Sequence, residues 1–172
     1  MGHDDCCIRP LRRRGAPHQG ERRGAGDALD AVQVYVEPAV ARAVQAERNL
    51  YDRIDAEFGL LTSAETGRRL GSRSTAPRNL AAATRRDGAL LAITRGHQML
   101  FPGFQFDPDG RPLPVIRILR DLADEAQWSE TGVVQWLCAP TTYLGGLRPV
   151  DLLAGEPDRV VDTARHAWTV RW

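Results

Sequence analysis

The sequence predicts a mainly α-helical protein. A winged helix-turn-helix-like middle with a small β-hairpin is followed by a C-terminal helical module. Three observations predict it. A capping box opens a short helix at Thr62 and Glu65, a polar turn leads from it into an arginine-bearing second helix, and a compact hairpin pattern follows. Downstream, apolar residues recur at helical spacing between proline and glycine punctuation as far as Trp168.

Composition narrows the function classes. Of the 172 residues, 42% are hydrophobic and 26% charged, which is ordinary for a folded globular chain. No apolar run reaches the roughly 18–20 residues of a membrane span, and no signal-peptide pattern opens the chain, so the expected location is the cytoplasm, with no membrane partner. Three cysteines, two of them adjacent at Cys6 and Cys7, make no disulfide framework, and Cys138 reads as a small core residue within a helix. His3, Cys6, Cys7 and His18 match no zinc spacing, so no metal and no cofactor are expected. His97 and His166 have no Ser, Cys or carboxylate partner at motif spacing and there is no phosphate-binding glycine motif; no catalytic residue is assigned and the chain does not read as an enzyme.

The net charge of +1 hides a segregated distribution. All 23 basic residues are arginine, and residues 62–106 carry seven of them against two acids, while the segments on either side (28–61 and 107–172) are net acidic. A basic block within an acidic chain is the footprint of a polyanion site or, equally, of a solvated arginine face in a protein from a GC-rich genome.

Residues 1–27, rich in Gly and Arg, read as a disordered basic tail, or as translation from a start placed too far upstream. Residues 28–59 hold an N-terminal helix. Pro38 suits its first turn and Gly59 its end, and Val40, Val44, Tyr51, Ile54 and Phe58 form its apolar seam, with Glu47 interrupting. That seam packs on the middle domain or forms a short coiled-coil homodimer.

Residues 60–106 form the DNA-binding-like region. A helix runs from Ser63 to before Gly71, and Ser72, Arg73 and Ser74 make the turn. Ser74 or Thr75 caps a second helix that closes at Gly88. At about 100° per residue, Ala76, Leu80, Ala83 and Asp87 share its inner side. Arg78 and Arg85 then lie outside, with Asn79 and Arg86 flanking. Arginines bond phosphates or guanine edges and asparagine pairs with adenine, so this is the composition of a recognition helix. Ala89–Thr94 and Gln98–Phe101 read as a hairpin turning at Arg95-Gly96, with Arg95 and His97 at its tip. The expected DNA contacts are Arg73, Arg78, Asn79, Arg85, Arg86 and Arg95.

Residues 107–127 are a linker turn (Asp107-Pro108-Asp109-Gly110) and a helix with the stripe Val115, Ile118, Leu119, Leu122 and Ala126. In residues 128–172, Ser129 caps a helix bearing Val133, Val134, Trp136 and Leu137, Pro149 starts a short helix, and a final helix begins near Pro157.

These last segments carry a resemblance. Trp136-Leu137, Pro140, Leu144-Gly145-Gly146, Pro149, Asp151-Leu152-Leu153, Gly155-Glu156 and Val160-Val161-Asp162 resemble the toxin-binding domain of MbcA/ParS/Xre-type antitoxins, over about the last 45 residues. Leu61–Glu65 and Phe101–Asp107 resemble the preceding segment of longer actinobacterial members. The resemblance implies a type II antitoxin that binds a RES-type, NAD-degrading toxin near the toxin's cleft and represses its own operon. Leu144, Gly145, Gly146, Arg148, Trp168, Arg171 and Trp172 are the expected toxin contacts, while Trp136 and Trp168 are also natural core residues. The competing expectation is a winged-helix transcriptional regulator whose C-terminal module only dimerises.

Overall fold

The computed structural model describes residues 37–169. The chain divides between Ala41 and Arg42, and everything discussed below lies after that division unless stated. The elements run α1 (Pro38–Phe58), β1 (Leu60–Thr62), α2 (Ser63–Arg69), α3 (Arg78–Arg86), β2 (Ile93–Arg95), β3 (Gln98–Pro102), α4 (Pro114–Glu125), α5 (Glu130–Cys138) and α6 (Pro157–Thr169), with 3₁₀ turns at Gly103–Gln105, Thr142–Leu144 and Pro149–Leu152. The architecture is therefore mainly helical, with a three-stranded antiparallel sheet ordered β1-β3-β2, as in a winged helix, and a helical C-terminal part.

Helix α1 commits only its second half to the core. Tyr51 and Ile54 are buried, whereas Val40 and Val44 stand exposed. The seam thus packs within the chain only from Tyr51 onward, and Glu47 bends to local use by accepting a hydrogen bond from the Tyr51 hydroxyl at 2.6 Å. Gly59, at φ +78, ends the helix in the left-handed region that favours glycine, and its carbonyl takes the Gly103 N–H at 2.9 Å.

Thr62 does double duty. It is the last residue of β1, a strand that the sequence pattern did not reveal, and the N-cap of α2. Its hydroxyl accepts from Glu65 N–H, and the Glu65 carboxylate accepts from Thr62 N–H at 2.8 Å, so the expected capping box is present. The Thr62 N–H foremost, and then the Thr62 hydroxyl donating to the same carboxylate at 2.7 Å, hold the Glu65 carboxyl below its ordinary range.

Helices α2 and α3 cross closely because Gly67 has no side chain: a Cβ there would lie 1.9 Å from the Pro77 carbonyl oxygen. The α3 N-terminus departs from expectation. Its N-cap is Pro77, without a side-chain hydrogen bond, and Ser74 Oγ instead accepts from Ala76 N–H at 3.1 Å within the turn. The hairpin is also shorter and shifted. Only Ile93–Arg95 pairs with β3, the turn falls at Gly96-His97, and Ala89–Ala92 is an extended, largely buried lead-in.

In α4 the buried stripe is Val115, Ile116, Leu119 and Ala123, while Ile118 is exposed. Of the expected stripe, Val115, Leu119, Leu122 and Ala126 face the core and only Ile118 departs, its place taken by Ile116, since both fit an apolar pattern and packing on α6 chooses between them. Ser129 caps α5 as expected, its hydroxyl accepting from Gly132 N–H at 3.0 Å. The larger core joins α1, the sheet and α4–α6 through Ile54, Ile93, Leu119, Leu137, Val160 and Trp168, among others; a smaller one, Ala81, Leu90, Ala92, Phe101 and Phe106, lies under α3.

Phe104 and Phe106 were expected to alternate as a strand around Gln105. They sit instead on the 3₁₀ turn and its exit, with Phe104 edge-on to Phe58. Gln105 is the fully buried member, its carboxamide accepting from Leu91 N–H at 2.6 Å and donating to the Leu91 and Pro102 carbonyls. One side chain thereby satisfies three backbone groups. The Asp107–Gly110 segment is a turn, as expected, with Asp107 Oδ1 accepting from Arg111 N–H at 2.7 Å. Among the described residues no His, Cys, Asp or Glu group is arranged to hold a metal ion, and no helix is long and apolar enough to cross a membrane.

Candidate nucleic-acid interface and partner loop

The orientation of α3 is decided by what it buries. Ala81 is its one buried residue, and Leu80 and Asp87, expected inside, are both exposed. The physical reason is the Gly67–Pro77 crossing. It draws the start of α3 close to α2, so the position one turn after Pro77, Ala81, faces inward and is fully buried. The inner face is rotated from Leu80 toward Ala81 and Thr84, and the outer face is centred on Ala82 and Arg86, with Asn79 beside them and Arg78 and Arg85 together at its edge.

This rotation sorts the six expected DNA contacts. Arg78, Asn79 and Arg86 are exposed on the outer face, and Arg73 is exposed in the turn before it. Arg73, Arg78 and Asn79 have no side-chain hydrogen bond or ion pair to another described residue, while Arg86 Nε reaches back to the Ala82 carbonyl at 3.4 Å. Arg95 lies at the end of β2 beside the hairpin turn, paired with Asp52 of α1 at 2.7 Å with both side chains well exposed, an arrangement that solvent screening leaves weak.

Arg85 differs: seven residues from Arg78, it projects within about 20° of it on the helix, but its side chain is half-buried and already engaged. Its guanidinium grips Glu130 in two-pronged fashion, Nη2 to Oε1 at 2.7 Å and Nε to Oε2 at 3.1 Å. Arg120 of α4 joins the same carboxylate at 2.8 Å and donates to the Leu90 carbonyl at 2.9 Å, while Ala92 N–H donates to Glu130 Oε2 at 2.8 Å. Sequence reading missed Glu130 altogether. An acid in the first turn of α5 looks like an ordinary helix-dipole partner, and nothing local marks a contact 45 positions away.

The second group of expected contacts surrounds the loop between α5 and α6. Gly145 and Gly146 take φ +67 and +90, and the Thr141 carbonyl accepts from Gly146 N–H at 2.9 Å, so the loop folds back on itself at conformations costly for other residues. Both glycines are exposed. Leu144, in contrast, is buried at 2% exposure and anchors the loop from below. The apolar side chains offered to solvent are its neighbours Tyr143, at 58%, and Leu147, at 47%, which the sequence reading did not single out.

Arg148 is half-buried and braced. It donates twice to Glu57 of α1, at 2.7 and 2.8 Å, and twice to Asp151, at 2.6 and 3.0 Å. These hydrogen bonds push Arg148 above its ordinary range and hold the Glu57 and Asp151 carboxyls below theirs. Its first role is thus to tie the loop to α1. Trp168 is buried, stacked on Trp128 with ring centroids 5.2 Å apart and edge-on to Trp136 at 5.1 Å, so it serves the core and not an exposed surface. Arg171 and Trp172 lie outside the described residues. Cys138 is partly covered, and burial pushes its thiol up to about 12, which suits the expected core role and leaves it a poor nucleophile at neutral pH.

Taken together, the fold and the exposed face of α3 define a winged-helix-like protein with an appended helical module. Its similarity to a solved structure agrees: the chain resembles the one titled "NMR structure of Rv2175c", with a TM-score of 0.57 and 22% identity over 64% of this chain and 82% of that one, a likeness of fold. No family model and no curated protein matches the chain.

Proposed function

We propose that the protein is a DNA-binding antitoxin. In this reading α3 and the hairpin bind operator DNA upstream of its own gene, and the C-terminal module binds and neutralises a RES-type, NAD-degrading toxin. The observation that carries the DNA-binding half is the exposed α3 face, on which Arg78, Asn79 and Arg86 stand together on a helix packed against α2 beside a wing. Arginine and asparagine there match phosphate, guanine and adenine edges in a major groove, and the Ala82 methyl between them leaves room for close approach.

The toxin-binding half is supported by the resemblance of residues 128–172 to the MbcA/ParS/Xre-type domain. It is also supported by a hydrogen-bonded loop that presents Tyr143 and Leu147 around two exposed glycines. Large exposed apolar side chains on a braced loop are what a protein partner buries at an interface core.

Co-expression with the product of the neighbouring gene tests the proposal, scored by growth and co-purification, alongside a gel shift with the upstream DNA. Growth arrest by the neighbour alone, rescue and co-elution with this chain, and a shifted operator support both halves. A neighbour that is harmless, or that does not bind, removes the antitoxin half and leaves a winged-helix regulator whose C-terminal module serves self-association.

A further inference from the structure

Glu130 stands where four parts of the fold meet. It opens α5, yet its two oxygens serve Arg85 of α3, Arg120 of α4 and the Ala92 N–H just before β2. Arg120 extends the junction to the Leu90 carbonyl in the lead-in to the wing. The carboxylate is only 19% exposed and Arg120 15%, so this cluster is shielded from solvent as the surface pairs at Arg95 or Arg159 are not. Because α3 buries only Ala81, apolar packing alone fixes its rotation weakly. A two-pronged guanidinium–carboxylate pair is directional and supplies the missing constraint.

We propose that Glu130 is a positioning residue for nucleic-acid recognition: it sets the rotation of α3 and keeps Arg85 off the exposed face, so that sequence is read by Arg78, Asn79 and Arg86. The inference rests on the DNA-binding reading above. Arg85 lies at the edge of that face and retains 34% exposure, within reach of a phosphate once released. An arginine freed there binds any backbone and adds affinity without discrimination. Glu130 therefore acts as an internal substitute for phosphate, and the α5 side of the molecule governs how selective α3 is.

The test is a salt series of binding constants for the full chain and its Glu130→Gln, Arg85→Gln and double variants. One probe is a duplex of its own upstream region; the other is a scrambled duplex of equal length. Each phosphate contact contributes about 0.9 to the slope of log K against log salt. Glu130→Gln is expected to steepen the slope on scrambled DNA by about 0.9 and to cut the operator-to-scrambled affinity ratio by at least about fivefold, as the released Arg85 finds a phosphate. Arg85→Gln is expected to keep the wild-type slope, and the double variant to return to it. A purely structural role for Glu130 would weaken both duplexes alike and leave the slope unchanged, which overturns the inference.

A slope that falls by about 0.9 in Arg85→Gln also overturns it, because Arg85 would then be a direct contact. That second variant keeps Arg120 and Ala92 on Glu130 but removes the two-pronged constraint on α3, so its operator-to-scrambled ratio is also expected to fall. An unchanged ratio overturns the inference even if Glu130→Gln folds poorly. Wild-type protein that binds neither duplex at low salt overturns the DNA-binding reading and the inference with it. Wild-type binding with either unexpected slope overturns the inference alone.

Discussion

The helix-turn-helix and the C-terminal module are stabilised in different ways. Under α3 lies a small core whose largest members are Phe101 and Phe106, and α3 itself contributes a single methyl group to it. The module of α4–α6 is built around the larger core, with Trp128 and Trp136 packed on the buried Trp168. One region keeps its place by close backbone approach at Gly67 and a shielded ion cluster at Glu130; the other keeps its place by apolar area. The difference teaches where function has room. A helix that buries little can offer most of its surface to a ligand, and its orientation must then come from directional bonds.

The comparison breaks most visibly at Trp168. Truncating a buried tryptophan removes its area from the core and leaves a cavity, so Trp168→Ala is expected to lose about 3–5 kcal/mol in urea unfolding. Tyr143→Ala and Leu147→Ala, both on the exposed loop, should stay within about 0.5 kcal/mol of wild type while weakening capture of the proposed partner. Loss of capture without loss of stability in the Trp168 variant would place that ring at the partner surface after all.

Gly67→Ala attacks the other region at its own weak point. The added methyl group meets the Pro77 carbonyl, which is backbone and cannot rotate away, so α2 and α3 must separate. Overpacking of this kind costs about 1–3 kcal/mol. Amide exchange should report the loss chiefly in α2 and α3, with α5 and α6 little changed. Uniform loss across all helices would show that the two regions unfold as one.

Much of this division is legible in the sequence, and the parts that are not have a common cause. The capping box at Thr62, the cap at Ser129, the glycine stops at Gly59 and Gly88 and the helix from Pro157 all follow from local chemistry, and all are present. The rotation of α3 is not local. Alanines at 76, 81, 82 and 83 allow several inner faces, and it takes the crossing at Gly67 and the distant Arg85–Glu130 pair to select Ala81. The same holds for Arg85 and Arg148: as arginines in a candidate site they resemble Arg78, and only distant carboxylates, Glu130 and Glu57, reveal them as braces. Leu144 and Trp168 belong to the same class, since an apolar side chain does not say whether it faces a core or a partner.

The corrected face makes a sharper prediction than the sequence did. Arg78→Glu with Arg86→Glu reverses two charges on the exposed side of α3 and touches no described ion pair. Operator affinity should fall at least about 30-fold, since each well-placed arginine contributes roughly 1–3 kcal/mol of recognition, with the unfolding midpoint unchanged. A double variant that still shifts operator DNA at physiological salt would remove α3 as the reading element.

The smallest expected effect concerns Arg148, and its sign follows from the carboxyls it holds. The hydrogen bonds from Arg148 lower the Glu57 and Asp151 carboxyls below their ordinary values of 4.5 and 3.8. A depressed carboxyl contributes stability that is fully present above its unfolded value and is lost as pH falls through the folded one. The wild-type protein should therefore hold its Tm from neutrality to about pH 5 and decline below pH 4.5 as the two carboxyls take up protons. Arg148→Gln removes the cause of both shifts, so its Tm should start slightly lower and fall less steeply through that acid range. Both side chains of the Glu57 pair are partly open to water, which keeps the difference small at moderate salt. If wild type and variant show parallel acid profiles, the brace between the loop and α1 contributes nothing in solution, and Arg148 becomes available as a partner contact.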